Sequence, residues 1–305
     1  MERSDEYKSE LLEFIKREYG VECSEITPAR RGFYGETWRV NKASTSYFVK
    51  LDYSPHQDKY ERSFPVIERI CDHGIDFISR IKKTTDGRLS TRFDGAVLGM
   101  FDWIDGENIQ TNATKIPEYQ MLAKVYTVPA HGLSISREEF SDISADKFFE
   151  QWNTLEDKQL QSLLEKNRAK LEHRASRLKH FAKLCQGDTA GFFITHGDAG
   201  GNFLVSGDKY FIVDWDEPLL APPERDAWVM CSQGWARDAF HYALRQSNIV
   251  HSLRSERLAY YCYHYFFYYL TSYLDGYKPK KTVCEIEEYI DGWMEGSMRY
   301  ADGNF

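Results

Sequence analysis

An aspartate and an asparagine stand four residues apart in HGDAGGN, residues 196–202, with two glycines between them. A second acidic pair follows in FIVDWD, residues 211–216. The run FLVSGDKYFIV between them reads as a β-hairpin turning at Gly207-Asp208, and a hairpin brings its outer ends together. Asp198, Asn202 and Asp214 are therefore expected to converge. Asn and Asp offer hard oxygen ligands that suit Mg²⁺, and the sequence holds no HExxH or Cys/His set for zinc. A carboxylate left beside such a metal is placed to orient an attacking hydroxyl, which is what phosphoryl transfer asks of a protein. His196 is expected to brace the loop backbone, and Asp216 to act as a hydrogen-bonder of the loop.

These residues need a scaffold, and the chain supplies one in two styles. Residues 5–19 place Leu11, Leu12, Ile15 and Tyr19 on one helical face, with Gly20 as the stop. Alternating β-branched and aromatic residues follow, predicting an antiparallel meander with a turn at Asn41-Lys42. A helix is expected over Glu61–Asp72, and Asp-Gly turns at Asp86-Gly87 and Asp94-Gly95 mark further strands. From Pro117 onward helices dominate, among them one long helix over 155–184 whose Leu164, Leu171 and Leu178 should face a core. The fold class is α+β: an N-terminal antiparallel five-stranded sheet with a helix (residues 1–103), then a larger, mainly helical part (residues 104–305).

The totals narrow the partners. A net charge of −8 argues against a nucleic-acid binder, whose footprint would be basic. The tyrosine-rich run at 258–274 is short for a bilayer and reads as a buried helix, so no membrane partner is expected. Six scattered cysteines without a CxxC pair, behind a charged first segment, fit reduced thiols in the cytoplasm. Oligomeric state is not legible.

HGDxxxN followed by (I/V)DWD resembles the aminoglycoside phosphotransferase family, small-molecule kinases similar in fold to the protein kinases. Within it the run DWDEPLLAPPERDAW, residues 214–228, most resembles the spectinomycin phosphotransferase-like branch. The resemblance implies a two-lobed kinase-like fold and a set of roles. Asp198 would orient or deprotonate the substrate hydroxyl, and Asn202 and Asp214 would hold Mg²⁺. Lys50, in FVK on the third strand, would contact the phosphates of ATP or GTP. Gly32 and Gly35 would form the nucleotide loop, and the backbone of Met100, Phe101, Asp102 and Trp103 would hold the adenine. A helix carboxylate should pair with Lys50, with Glu61 the first choice and Glu68 the reserve. Asp226 would stabilise a later loop.

One departure matters. The family usually spaces its catalytic Asp and metal Asn five apart, and here the separation is four. Gly200 and Gly201 are expected to close the shorter loop through φ > 0 turns. The resemblance implies phosphoryl transfer to a small-molecule hydroxyl, on an amino sugar, an aminocyclitol or a related cationic metabolite. Choline-like and homoserine-like acceptors, and a nucleotide-binding protein without turnover, remain alternatives. A protein kinase is disfavoured, because HGD lacks the arginine of HRD and eleven residues between Asp214 and Asp226 leave no peptide-holding segment. The acidic tail, residues 282–305, reads as a solvated helix, with an acidic wall for a cationic substrate as the alternative.

Overall fold

The computed structural model describes residues 3–29, 35–53, 57–187, 190–274, 281–293, 300 and 303. Helix α1 (Asp5–Tyr19) starts on the Ser4 side chain, which accepts from the Tyr7 N–H, and ends at Gly20. Strands β1 (Glu25–Pro28), β2 (Gly35–Lys42) and β3 (Thr45–Asp52) follow, then helix α2 (Asp58–Asp72), β4 (Thr91–Phe93) and β5 (Ala96–Asp102). They form the expected antiparallel five-stranded sheet, in the order β1-β2-β3-β5-β4. Asp94 and Gly95 both take positive φ and make the β4–β5 turn. The β2–β3 turn falls at Ala43-Ser44, two residues beyond the expected one, because pairing continues through Lys42 and Thr45.

Alternation along the strands decides what the sheet presents to each side. Val49, Leu51, Leu98 and Met100 join Leu11, Phe14 and Ile15 of α1 in one core. Lys50 and its β5 neighbour Gly99 therefore fall on the opposite face. There Phe64 of α2 lies so close that a Cβ on Gly99 would come within 2.6 Å of its ring.

Beyond β5 come α3 (Asn112–Val125), α4 (Ile143–Thr154), α5 (Lys158–Lys166) and α6 (Arg168–Cys185). The single helix expected over 155–184 is thus two, broken at Asn167, but Leu164, Leu171 and Leu178 are all fully buried. Strand β6 (Phe193–Thr195), a 3₁₀ turn (Gly200–Asn202), and β7 (Phe203–Ser206) and β8 (Lys209–Ile212) carry the motifs read above. Strand β9 (Leu219–Ala221) pairs with β6, and α7 (Glu224–Ala227), α8 (Gly234–Gln246), α9 (Ser255–Leu274) and α10 (Val283–Glu288) complete the order.

By packing, the chain forms two compact units: residues 1–136 with 196–219, and residues 137–195 with 220–305. The first holds the sheet, α1 to α3 and the β7–β8 hairpin. The second is built around α9, whose Phe267 and Tyr263 meet Phe148 of α4 and Phe181 of α6. Among the described residues no helix is long and apolar enough to cross a membrane.

Candidate active site

The loop after β6 is folded by its own histidine. Gly197 turns the chain at φ +88°. The His196 Nε2 lies 2.9 Å from the Val213 carbonyl, and its Nδ1 accepts the Asp198 N–H at 3.1 Å. These two bonds assign the proton to Nε2 and tie the two motifs together. Trp215 packs edge-on against the imidazole, with ring centroids 4.6 Å apart. The β7–β8 hairpin turns at Gly207 with φ +60°, as expected, and its ends are joined by the Val213 N–H donating to the Asn202 carbonyl at 3.0 Å. The Asn202 Nδ2 donates to the Asp198 carbonyl at 3.0 Å.

The two glycines work differently from the sequence expectation. Neither Gly200 nor Gly201 takes positive φ; they lie in the 3₁₀ turn. What they supply is room. A Cβ on Gly200 would sit 2.6 Å from the Lys115 Nζ, and one on Gly201 would sit 3.0 Å from the Asp198 carboxylate. Lys115 cannot retreat easily, because its ammonium is buried against Glu118 at 2.7 Å. The shortened loop is further held from outside: the Asn108 Nδ2 lies 3.2, 3.0 and 2.8 Å from the carbonyls of Gly200, Gly201 and Phe203. Gln110 reinforces it on the Gly200 carbonyl. Nothing in the spacing of Asn108 or Gln110 announces this role in the sequence.

Asp214 sits at φ +62°, a left-handed conformation that Asp tolerates better than most residues and that concentrates at functional sites. Its Oδ1 accepts from the Lys50 Nζ at 2.8 Å, and Asp216 makes a closer contact with the same ammonium. Burial works against the Lys50 charge, but Asp216 and Asp214 together hold its pKa well above the ordinary value. Burial also works upward on Asp214, where Lys50 prevails and keeps the carboxyl below its usual range. Asp216 is pushed up, by burial first.

Glu61 is not the partner of Lys50. It faces Arg92 at 3.5 Å, and the reserve, Glu68, pairs with Lys83. The cause is helical register: one residue is about 100° of rotation, and α2 turns Tyr60, not Glu61, toward Lys50, with its ring centroid 5.2 Å from the Nζ.

The segment that the resemblance implies for adenine, Met100 to Trp103, has most of its backbone groups engaged. Met100 and Phe101 are sheet residues, buried and paired with Val49 and Phe48. The Met100 carbonyl takes the Lys82 N–H, the Asp102 N–H goes to Arg80, and the Trp103 N–H to Ser46. The Asp102 carbonyl accepts from the Ser79 hydroxyl. Strand β5 ends at Asp102, and one further backbone bond, from the Trp103 N–H to Ser46, follows it. Gly35 opens β2, where a Cβ would collide with the Leu51 carbonyl at 1.9 Å; Gly32 lies outside the described residues.

A cavity of about 560 Å³ lies against the segment that follows β5, lined by Arg80, Asp102, Trp103, Ile104, Lys209 and Phe211 among others; Lys50, Asp198, Asn202 and Asp214 are not in its lining. In the second unit, Glu285, Glu287 and Asp291 of the acidic tail each meet a lysine, Lys281, Lys166 and Lys170. Glu295 and Asp302 lie outside the described residues.

Known structures share this architecture. A spectinomycin phosphotransferase, APH(9)-Ia, solved with ADP and spectinomycin, is 20% identical with a TM-score of 0.77, over 96% of this chain and 98% of that one. A microcompartment-associated aminopropanol kinase is 12% identical with a TM-score of 0.65, over 96% of each chain. An amicoumacin kinase, solved in complex with AMP-PNP, Ca²⁺ and Ami, is 12% identical with a TM-score of 0.63, over 98% of this chain and 94% of that one. A search of curated protein sequences finds no match. The model of the phosphotransferase enzyme family (APH) matches residues 25–270. The chain belongs to that family, and is a small-molecule phosphotransferase.

Proposed function

We propose that the protein transfers the terminal phosphoryl group of ATP or GTP, with Mg²⁺, to a hydroxyl of a small cationic molecule such as an amino sugar or aminocyclitol. The observation that carries this reading is the meeting of Asp214 with Lys50 at one end of a hairpin whose other end is locked to Asp198 and Asn202. The donor set fits the metal. Among the described residues no three His, Cys, Asp or Glu side chains form a metal cluster of their own. Mg²⁺ characteristically takes one or two protein carboxylates and completes its shell with phosphates and water. Asp214 and the amide oxygen of Asn202 would hold it, and when bound it would neutralise charge on the phosphate oxygens.

The protein's own groups do the rest. Lys50 contacts the phosphates, and the segment at Trp103, just past the engaged backbone of Asp102, holds the base. Asp198 receives the hydroxyl proton as the new O–P bond forms and the bond from the terminal phosphorus to the leaving nucleoside diphosphate breaks, with the Asp198 backbone fixed by His196 and Asn202. In this reading residues 1–103 serve the nucleotide and residues 104–305 serve catalysis and the acceptor, in the cytoplasm, where ATP is at hand. The cationic acceptor is supported by the net charge of −8 and by relatives named for spectinomycin and aminopropanol. The tail contributes less to that argument, since three of its carboxylates already meet lysines.

The test is Mg²⁺-dependent nucleotide turnover over a panel of spectinomycin, aminoglycosides, aminopropanol, choline, homoserine and simple sugars, with Asp198→Ala as the blank. Turnover on a cationic acceptor, absent from the blank, is expected. Activity equal in the blank and the wild type would overturn the assignment of Asp198.

A further inference from the structure

We propose that Asp216, seated beside Tyr60, is the residue that positions Lys50, in place of any carboxylate on helix α2. The evidence begins with what α2 does with its acids. All four are committed elsewhere: Asp58 to Arg62, Glu61 to Arg92, Glu68 to Lys83 and Asp72 to Arg80. The face that α2 turns to the sheet is aromatic instead. Tyr60 is 3% exposed and stacks on Phe64 at 5.3 Å, and Phe64 covers Gly99, the β5 partner of Lys50.

Lys50 therefore reaches the other way. Its side chain is 11% exposed, and its ammonium contacts Asp214 and, more closely, Asp216. A buried ammonium left with a single carboxylate that must also serve a metal would lose its anchor whenever that metal bound. Asp216 supplies a second carboxylate, and the next residue, Glu217, grips Lys59 in the first turn of α2. The segment 214–217 thus aligns lysine and metal ligand as one piece, without help from the helix acids. The Tyr60 ring adds a cation–π contact, its centroid 5.2 Å from the ammonium.

Two readouts test this. The first is the rate at which Lys50 is acylated in the folded protein, read by mass spectrometry of its peptide, and it does not depend on the proposed function. The second is the nucleotide KM and kcat, which rests on that function. Asp216→Asn should raise Lys50 labelling several-fold and raise the nucleotide KM by about 10- to 100-fold, the usual cost of losing a group that orients a ligand-binding residue. Asp216→Glu should restore part of both. Glu61→Gln and Glu68→Gln should match the wild type in both. Thermal melts of each variant separate unfolding from loss of the contact. Labelling unchanged in Asp216→Asn, or raised equally in Glu61→Gln, overturns the proposal. So does unchanged labelling with an altered Mg²⁺ requirement, which would make Asp216 a metal neighbour. Raised labelling in a protein that turns over no nucleotide would keep the Lys50 anchor and remove the function.

Discussion

Each compact unit holds a cluster of opposite charges, and the two clusters differ in how far they are closed to water. In the first, Lys50 meets Asp214 and Asp216, whose side chains remain 49% and 26% exposed. In the second, Glu224 is fully buried. It accepts the Arg254 N–H at 2.7 Å, lies 3.1 Å from the His251 Nε2, and has Arg257 3.9 Å away. A carboxylate still open to water can exchange its partner for a ligand at modest cost. One sealed among three donors cannot, because any exchange strands a buried charge. The difference separates a candidate site from a staple, although both look like ion pairs.

That contrast can be broken by mutation. Asp198→Ala, beside the open cluster, should lower turnover by about 10² to 10⁴, the range for losing a general base, while nucleotide affinity by calorimetry stays near wild type. Asp214→Ala should in addition weaken Mg²⁺-nucleotide binding with little change in melting. Glu224→Ala should do the reverse, costing about 3–5 kcal/mol of stability in denaturant unfolding. A Glu224 variant as stable as the wild type would erase the distinction.

Gly200→Ala should cost about 1–3 kcal/mol through crowding against Lys115. It should surface mainly as lower kcat, since the loop carrying Asp198 must move. Adding Lys115→Ala should recover part of the loss; no recovery would show that the crowding lies elsewhere.

The smallest effect is one of pH. Burial holds the His264 pKa below the ordinary 6.5, so the unfolded chain binds the extra proton first. Stability is then full above pH 6.5 and falls as pH drops below it, and His264→Gln should flatten that slope in melts between pH 7 and 5.

Periodicity and turn chemistry were enough to read most of the fold. Alternating strands, Asp-Gly and Gly-Asp turns, and Leu164, Leu171 and Leu178 on one stripe are local signals, and the sheet, the β7–β8 hairpin and the buried helix faces all follow them. The site was legible where it depends on the hairpin, because closing FLVSGDKYFIV joins Asn202 to Val213 whatever surrounds it. It was not legible where neighbours from distant segments decide. Both Tyr60 and Glu61 suit the first turn of a helix, and only packing of Phe64 onto Gly99 chose which of them faces Lys50. The glycines were read as conformational devices, but the need for Gly200 comes from a lysine about eighty residues earlier in the chain, and that for Gly201 from the Asp198 carboxylate. Asn108 carries no local signal at all; its value lies in three carbonyls that only the folded loop presents. The sequence by itself determined which groups are candidates for phosphoryl chemistry and the local turns that deliver them, because backbone sterics and hydrophobic periodicity act over a few residues. The tertiary structure decided which charge meets which, because that depends on side chains brought together from far along the chain.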